Sequence, residues 1–258
     1  MPATFPAHAA AVLPLKLWRP GWFDGVALVV GSAAPDAAYI AVGFVSLPET
    51  HTVPALLWFC LPVALAGCLV IRWAAPAVAA HLPAGGPFDL RAYGVLGVIR
   101  HPWYVTVSSI LVGASTHLVW DGFTHAPANM AGWAIRLVPV LDTVGPFGLP
   151  WWRTLQFLSS ALGAVVVVGV AWYVGRTEAL RRWHGDPPPV PRSPGRFWGS
   201  AAAILVVCLA VMPFLPYSTS AHVGGVRLLY AVALALVAGA AAAGISSRRS
   251  RRICTLRP

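Results

Sequence analysis

The chain has 258 residues, of which 58% are hydrophobic and only 10% are charged. Soluble domains carry about 25% charged residues, so this composition excludes an ordinary soluble globular protein. The 12 tryptophans argue against disorder, despite 24 glycines and 24 prolines, because disordered chains are poor in aromatic residues. The remaining class is an integral membrane protein. In a membrane protein, a net charge of +10 indicates that the cytoplasmic loops are rich in Lys and Arg. Because this explains the excess of basic residues, we expect no nucleic-acid partner.

Six stretches are long and apolar enough to cross a bilayer, which takes roughly 17–25 residues as a helix. In chain order they are residues 22–45, 53–75, 103–120, 155–175, 197–216 and 226–245. Most of the 18 basic residues fall in loops on one side of these spans. Because cytoplasmic loops are rich in Lys and Arg, the sequence predicts an all-α, polytopic transmembrane helix bundle with both termini in the cytoplasm.

Composition divides the chain into four parts. Residues 1–185 are predicted to form a helical membrane domain, followed by a proline-rich cytoplasmic connector at 186–196. The prolines of the connector exclude a helix and favour a stiff polyproline segment. Residues 197–247 are predicted to form a C-terminal pair of transmembrane helices. The basic tail, 248–258, is expected to hold the last helix against anionic lipid.

Histidine and acidic residues near the outer ends of the spans are the strongest functional signal, since ionisable groups at membrane depth are costly and mark sites. His117 and Asp121 are four residues apart, so a helix places both on one face, within reach of one ion. His125 lies one turn further on. It reaches the same ion only if the helix breaks, for which Gly122 offers a position, or else it binds a second metal.

Two other segments supply similar groups at a similar depth. Asp36 and His117 both lie about 21 Å from the cytoplasmic start of their spans, and Glu49 and His51 follow in the next outer connection. Imidazole and carboxylate suit Zn²⁺, with Mn²⁺ or Fe²⁺ as alternatives, and the lack of thiolate argues against a structural cysteine site. We therefore predict a divalent metal site near the outer membrane face. Asp142 and His222 are interpreted as ordinary interfacial groups.

The order of these motifs resembles a known family. The pattern consists of His8, then Pro35-Asp36, then His51, then His117-Leu-Val-Trp-Asp121. It resembles an uncharacterised bacterial domain-of-unknown-function family of polytopic membrane proteins. That family is similar to inner-membrane proteins assigned as metal-dependent hydrolases, and more remotely to the all-helical zinc phospholipase C and nuclease group. The resemblance covers residues 1–185. It implies that the metal ligands are His8, Asp36, His51, His117 and Asp121. Our spacing argument adds His125 to this set.

His8 conflicts with the predicted topology, because it precedes the first span on the cytoplasmic side. Three explanations stay open. Residues 6–18 re-enter the bundle as a helix, or the spans pack as an unusual bundle, or His8 is not a ligand. Re-entrant backbone is tolerated only where it is buried in protein.

A second motif favours different chemistry. Residues 100–104, Arg-His-Pro-Trp-Tyr, resemble the Arg-His-Pro-x-Tyr element of integral-membrane methyltransferases that act on isoprenylcysteine or phospholipid amines. That resemblance implies an S-adenosylmethionine site. The downstream match is partial, because Glu178 and Gly185 are present but Thr177 replaces the paired glutamate. We favour a structural explanation, in which Pro102 begins a helix at a position where its missing N–H has no cost.

The sequence therefore predicts a membrane-embedded metal-dependent hydrolase of the bacterial cytoplasmic (inner) membrane. Its substrate is expected to be a phosphoester or a lipid-linked compound at the outer face, with membrane lipid as the main partner. Glu49 or Asp121 is predicted to take the proton from the attacking water. The alternatives are the methyltransferase, a divalent-ion transporter and a noncatalytic membrane scaffold. The transporter needs a polar path, of which residues 155–175 offer little. The sequence does not set the oligomeric state.

Overall fold

A computed structural model describes the backbone of residues 5–254 and the side chains of residues 7–244. Throughout this part of the chain the structure is all-helical with no β-strand, which confirms the predicted fold class. The α-helices are α1 (Phe5–Trp18), α2 (Gly25–Ala33), α3 (Leu61–His81), α4 (Trp103–Thr124), α5 (Trp133–Leu137), α6 (Trp151–Arg176), α7 (Ala179–His184), α8 (Pro194–Val211) and α9 (Ala221–Cys254). The side chains of the predicted basic tail, 248–258, lie outside the described residues.

Four helical stretches within the described residues are long and apolar enough to cross a membrane, which indicates a membrane protein. They are Leu56–His81, Trp151–Arg176, Pro194–Phe214 and Ala221–Gly244. The first of them begins with a π-helical turn, Leu56–Cys60, that continues directly into α3. These stretches correspond to four of the six predicted spans, so the count of six is not confirmed, and the orientation of the termini stays a prediction.

The other two predicted spans differ from expectation for physical reasons. The first, 22–45, is not one helix, because α2 ends at Ala33 after 9 residues and Pro35 begins a separate 3-10 segment, Pro35–Ile40. Neither piece is long enough to cross a bilayer. The third is α4, a single helix of 22 residues whose buried face carries hydroxyl, imidazole and carboxylate groups. It is therefore less apolar than the four spanning helices.

The chain divides into two compact units. One comprises Met1–Cys68, His101–Val170 and Ala221–Val223, and it contains α1, α2, α4 and α5. The other comprises Leu69–Arg100, Ala171–Ser220 and Gly224–Pro258. All the residues predicted to bind metal belong to the first unit.

The pairing of α2 with α4 is the centre of the first unit. Glycine allows this contact, since a Cβ added at Gly31 would lie 2.9 Å from the Ile110 Cα, and one at Gly113 would lie 2.7 Å from the Ser32 nitrogen. Small residues let two helix backbones approach this closely in a membrane protein. The contact also excludes water from the facing surfaces, and Ile110 is fully buried there.

A buried carboxylate fixes one end of this helix pair. Asp24 is the N-cap of α2, and its Oδ1 accepts a hydrogen bond from the Ala27 N–H at 3.2 Å. Its Oδ2 accepts a 2.8 Å hydrogen bond from the Thr106 hydroxyl on α4, and its own N–H donates to the Ser109 hydroxyl at 3.0 Å. The start of α2 is thereby tied to the first turns of α4.

Helix α1 packs against both α2 and α4. After Trp18 the chain reverses, and the Lys16 ammonium donates to the carbonyls of Pro20 and Phe23 at 2.6 and 2.9 Å. These bonds close the turn that brings α1 back alongside α2. The segment that carries His8 is therefore a helix packed inside the unit, with His8 only 1% exposed, while the three explanations based on membrane topology stay open.

In the second unit, the proline-rich connector has no helix between His184, where α7 ends, and Pro194, where α8 begins. Its end is held by His81, whose Nε2 accepts the Ser193 N–H at 2.9 Å. The His81 ring also stacks on Phe197 with the ring centroids 4.3 Å apart. These contacts hold the end of the connector against the last residue of α3.

Candidate metal centre

Four side chains of the first unit bring their ligand atoms together at one point. Asp36, His51, His117 and Asp121 each offer one oxygen or nitrogen, and these four atoms all lie within 4.8 Å of one another. The three residues other than Asp36 are buried, while the Asp36 side chain is 14% exposed. The group is a buried His/Asp cluster that could hold a metal ion, here called the Asp36 cluster.

The contacts within the Asp36 cluster alternate between imidazole and carboxylate. His51 Nε2 lies 3.3 Å from Asp36 Oδ1 and 3.6 Å from Asp121 Oδ2. His117 Nε2 lies 3.7 Å from Asp36 Oδ1 and 3.1 Å from Asp121 Oδ2. Each carboxylate thus faces both imidazoles, an arrangement in which the lone pairs of four groups are directed toward a shared centre.

His117 is held in the tautomer that a metal ligand needs. Its Nδ1 lies 2.7 Å from the backbone carbonyl of Ser32, and because a carbonyl only accepts, this nitrogen carries the proton. The Nε2 lone pair is therefore left for the cluster. A backbone carbonyl or carboxylate on the far nitrogen is the usual support of a metal-bound histidine. The position of Ser32 follows directly from the close contact of α2 with α4.

Glu49 supports His51 in a similar way. Its Oε1 accepts the His51 N–H at 3.0 Å and lies 3.3 Å from His51 Nδ1, so the ring presents Nε2 to the cluster. Burial opposes protonation of His51, but the hydrogen bonds with Asp36 and Glu49 outweigh it and raise the pKa of His51 to about 10. The same contact lowers the pKa of Glu49 to about 2. The Glu49 side chain is 48% exposed, at the edge of the site.

His8 and His125 contact the opposite side of Asp121. His8 Nε2 lies 3.4 Å from Asp121 Oδ1, and His125 Nδ1 lies 3.5 Å from the same oxygen. The His8 ring stacks on the ring of His117, with centroids 3.8 Å apart and planes 18° apart. All six residues predicted as ligands are therefore brought together, although His8 and His125 are not part of the four-atom Asp36 cluster.

Several of these buried polar atoms have no hydrogen-bond partner among the described residues. They are both ring nitrogens of His8, His117 Nε2, Asp121 Oδ1 and His125 Nδ1. A buried polar atom without a partner costs about 1–3 kcal/mol, so a group of them on one point calls for an explanation. A cation bound at the Asp36 cluster gives His117 Nε2 a partner, which is how the residues present fit a metal.

The end of α4 differs from the sequence expectation. The helix runs through Gly122 without a break and ends at Thr124, and His125 has extended backbone angles of φ −117° and ψ 154°. Gly122 has a packing role instead, because a Cβ there would lie 2.9 Å from the Trp133 indole. The Trp133 Nε1 also donates to the Leu118 carbonyl at 3.3 Å, which docks α5 against α4.

Tyr39 and His222 also lie near the Asp36 cluster, although the sequence did not predict either of them as part of the site. The ring of His222 meets the Tyr39 ring edge-on with centroids 4.0 Å apart, and Tyr39 lies 6.1 Å from His51 by the same measure. His222 thus lies beside the Asp36 cluster, which differs from its interpretation as an ordinary interfacial group. Its only sequence signal was its position at the outer end of a predicted span. Asp142, in contrast, accepts a hydrogen bond from the Trp152 indole at 3.0 Å, as an interfacial group would.

The methyltransferase-like motif lies at the start of α4. Pro102 is the residue that precedes the helix, in agreement with the structural explanation for this motif. The Arg100 guanidinium donates to the carbonyls of Gly97 and Ile99, at 3.2 and 3.1 Å, in its own loop.

Comparison with known proteins places the chain in a family. A family model described as a domain of unknown function (DUF4184) matches residues 1–247, so the chain belongs to that family. This confirms the expected membership of an uncharacterised family. No curated protein and no solved structure matches the chain.

Proposed function

We propose that this DUF4184 protein is a membrane-embedded, metal-dependent hydrolase. The observation that carries the proposal is the Asp36 cluster, a set of two imidazoles and two carboxylates in contact with one another inside an otherwise apolar chain. Buried ionisable groups in a membrane protein are costly and are retained at functional sites. Sites of this donor type with an exposed edge are typical of catalytic rather than structural metal centres.

Zinc is the ion that the donor types favour, because imidazole and carboxylate are common ligands of Zn²⁺ in catalytic sites. The four imidazole-to-carboxylate contacts of the cluster range from 3.1 to 3.7 Å, and all four ligand atoms lie within 4.8 Å of one another. Mn²⁺ and Fe²⁺ accept the same donors and are the alternatives.

The residues of the site then have distinct roles. When bound, a divalent ion polarises the scissile group and lowers the pKa of a water to about 7. Asp36, His51, His117 and Asp121 hold the ion. Glu49 orients His51 through Oε1, and its exposed position allows it to accept the proton from the attacking water. Asp121 faces histidines with both oxygens, so its role is that of a ligand.

The surroundings of the site favour a lipid or lipid-linked phosphoester as the substrate. Helix α5 docks beside Gly122, one residue after Asp121, and the chain that follows is apolar and exposed. Leu137 is 73% exposed and Phe147, at the tip of a tight turn, is 91% exposed. Aromatic and aliphatic side chains exposed next to spanning helices are typical of the membrane interface. We propose that this site lies at the outer face of the bacterial cytoplasmic membrane.

Metal analysis of the detergent-purified chain tests the proposal. We expect wild type to carry bound metal and both His117→Ala and Asp121→Ala to lose the ion held by the Asp36 cluster. His101→Ala and Asp142→Ala are matched controls, because they remove the same residue types outside the cluster, and they should retain the metal. Equal, negligible metal in all five samples would exclude both the hydrolase and the ion transporter, and leave the methyltransferase and the scaffold.

Activity assays separate the remaining classes once metal binding is shown. A hydrolase should cleave members of a phosphoester panel that includes phospholipids, and the metal-free variants should not. Transport of the ion into vesicles without hydrolysis would favour the transporter. Binding of S-adenosylmethionine that is lost in His101→Ala would favour the methyltransferase.

A further inference from the structure

We propose that the site holds two metal ions, with Asp121 bridging them. The second ion is bound by His8, His125 and Asp121 Oδ1, and the first by the Asp36 cluster through Asp121 Oδ2. This inference deepens the proposed function, because it concerns the same centre and rests on the first ion being bound there.

The two oxygens of Asp121 face different partners. Oδ2 lies 3.1 Å from His117 Nε2 and 3.6 Å from His51 Nε2. Oδ1 lies 3.4 Å from His8 Nε2 and 3.5 Å from His125 Nδ1. Each oxygen thus has two imidazole nitrogens at the edge length of about 3.3 Å that ligands around one tetrahedral ion require. Each oxygen of the Asp121 carboxylate therefore contacts its own pair of imidazoles, which is the arrangement expected of a carboxylate that bridges two metal ions.

The stacking of His8 on His117 separates the two positions. Rings whose planes are 18° apart and whose centroids are 3.8 Å apart keep their in-plane lone pairs in two separate, nearly parallel planes. Such lone pairs do not converge on one ion within bonding distance. Because both Nε2 atoms lie against the Asp121 carboxylate, they are placed to bind two neighbouring ions about one ring spacing apart. Two-metal hydrolytic sites have ions about 3.5–4 Å apart, which matches that spacing.

The second position has its own buried, unsatisfied groups. His8 is 1% and Asp121 2% exposed, and His125 is 7% exposed. Within the described residues, Asp121 Oδ1, His8 Nε2 and His125 Nδ1 have no hydrogen-bond partner. The first ion does not satisfy these three atoms, because the Asp36 cluster uses Asp121 Oδ2. A second cation satisfies all three.

Two ions define the substrate class more narrowly. A pair at this separation stabilises both the attacking and the leaving oxygen of an in-line displacement at phosphorus. The site is therefore suited to phosphoesters, the substrate class of the proposed function.

Metal stoichiometry measured by mass spectrometry on the purified full chain, loaded with Zn²⁺, tests the inference. We expect two ions per chain in wild type and one in His8→Phe and in His125→Gln. The phenylalanine keeps an aromatic ring stacked on His117 and removes both ring nitrogens, of which Nε2 is the proposed ligand. Asp121→Asn should bind at most one ion, at least tenfold more weakly. Wild type loaded with Mn²⁺ should show the spin-coupled resonance of a close pair, and the two histidine variants the signal of an isolated ion.

Each outcome bears on a separate part of the argument. One ion in wild type, lost in His117→Ala, overturns the second site and leaves the proposed function intact. No ion in wild type overturns both. Two ions in both histidine variants overturn the assignment of His8 and His125. If His8→Phe fails to fold, His125→Gln and the Mn²⁺ spectrum of wild type decide the question without it.

Discussion

Gly113 and Ser32 bring the backbones of α4 and α2 into contact, since a Cβ added at Gly113 would lie 2.7 Å from the Ser32 nitrogen. One turn further along α4, His117 donates its Nδ1–H to the carbonyl of the same serine. The position of a metal ligand is therefore set by how closely two helices approach. The ligand spacing is a property of the backbone as much as of the side chains.

Gly113→Ala should consequently weaken metal binding although it changes no ligand. The added methyl meets backbone atoms that do not rotate away, and such overpacking costs about 1–3 kcal/mol. We expect a lower thermal midpoint in detergent and at least a tenfold loss of Zn²⁺ affinity by competition with a chelator.

Gly169→Ala is the matched control for this substitution. Gly169 lies in α6 with no atom within 4 Å of an added Cβ, and alanine is the better helix former. Its metal affinity and thermal midpoint should equal or slightly exceed those of wild type. An unchanged affinity in Gly113→Ala would contradict the importance of the α2–α4 contact.

Glu49→Gln should weaken metal binding by about 10–100-fold, the usual effect of removing the carboxylate that supports a metal-bound histidine. The amide keeps the shape of the side chain but loses the charge that orients His51. Isothermal titration with Zn²⁺ measures the change. Glu178→Gln, at an exposed position in the second unit, provides the control and should bind as wild type does. If saturating Zn²⁺ restores full hydrolysis to Glu49→Gln, Glu49 orients His51 without accepting the proton.

Metal binding should release protons and strengthen as the pH rises. The pKa of His51 is raised to about 10 in the absence of metal, so at pH 7 this imidazole carries a proton that ligation must displace. Affinity should therefore increase with pH up to about 10 and level off above it. Calorimetry in buffers of different ionisation enthalpy counts the released protons. Glu49→Gln removes one of the groups that raise the His51 pKa, so the pH profile of its metal affinity should shift to lower pH, and an unshifted profile would contradict this role.

Thr106→Ala should reduce stability more than it reduces metal binding. Removing the hydroxyl deletes a buried hydrogen bond of 2.8 Å to the Asp24 carboxylate, and a hydrogen bond to a charged group contributes about 1.5–3 kcal/mol. Thermal unfolding in detergent measures this loss. Ser108→Ala changes an exposed hydroxyl two residues away on the same helix and should leave the midpoint within a degree or two. A similar midpoint for both variants would show that Asp24 does not tie α2 to α4.

Local periodicity was enough to predict the helical class and the shared face of His117 and Asp121, because both depend on the geometry of a single helix. Composition also indicated a membrane protein, in agreement with the four long apolar helical stretches. The first predicted span failed because an average over apolar residues does not register that Pro35 ends one helical segment and begins another.

The position of His8 needed information that no local pattern contains. Its contact with His117 joins α1 to α4, and the turn that makes it possible depends on Lys16 bonding to two carbonyls of the following loop. The edge contact of His222 with Tyr39 is a long-range pairing of the same kind. Such contacts follow from tertiary packing, for which a single sequence offers residue types but no distances.

The stacking of His8 on His117 also constrains how the protein is made. Helix α1 is synthesised first, but its partner α4 follows roughly 5–20 s later at ordinary translation rates. Until α4 is made, the buried face of α1 lacks the helix that it packs against, and His8 lacks the ligand residues that α4 carries. Insertion of the early helices must therefore precede loading of the ion, and a nascent chain that stops before α4 has no metal centre to assemble.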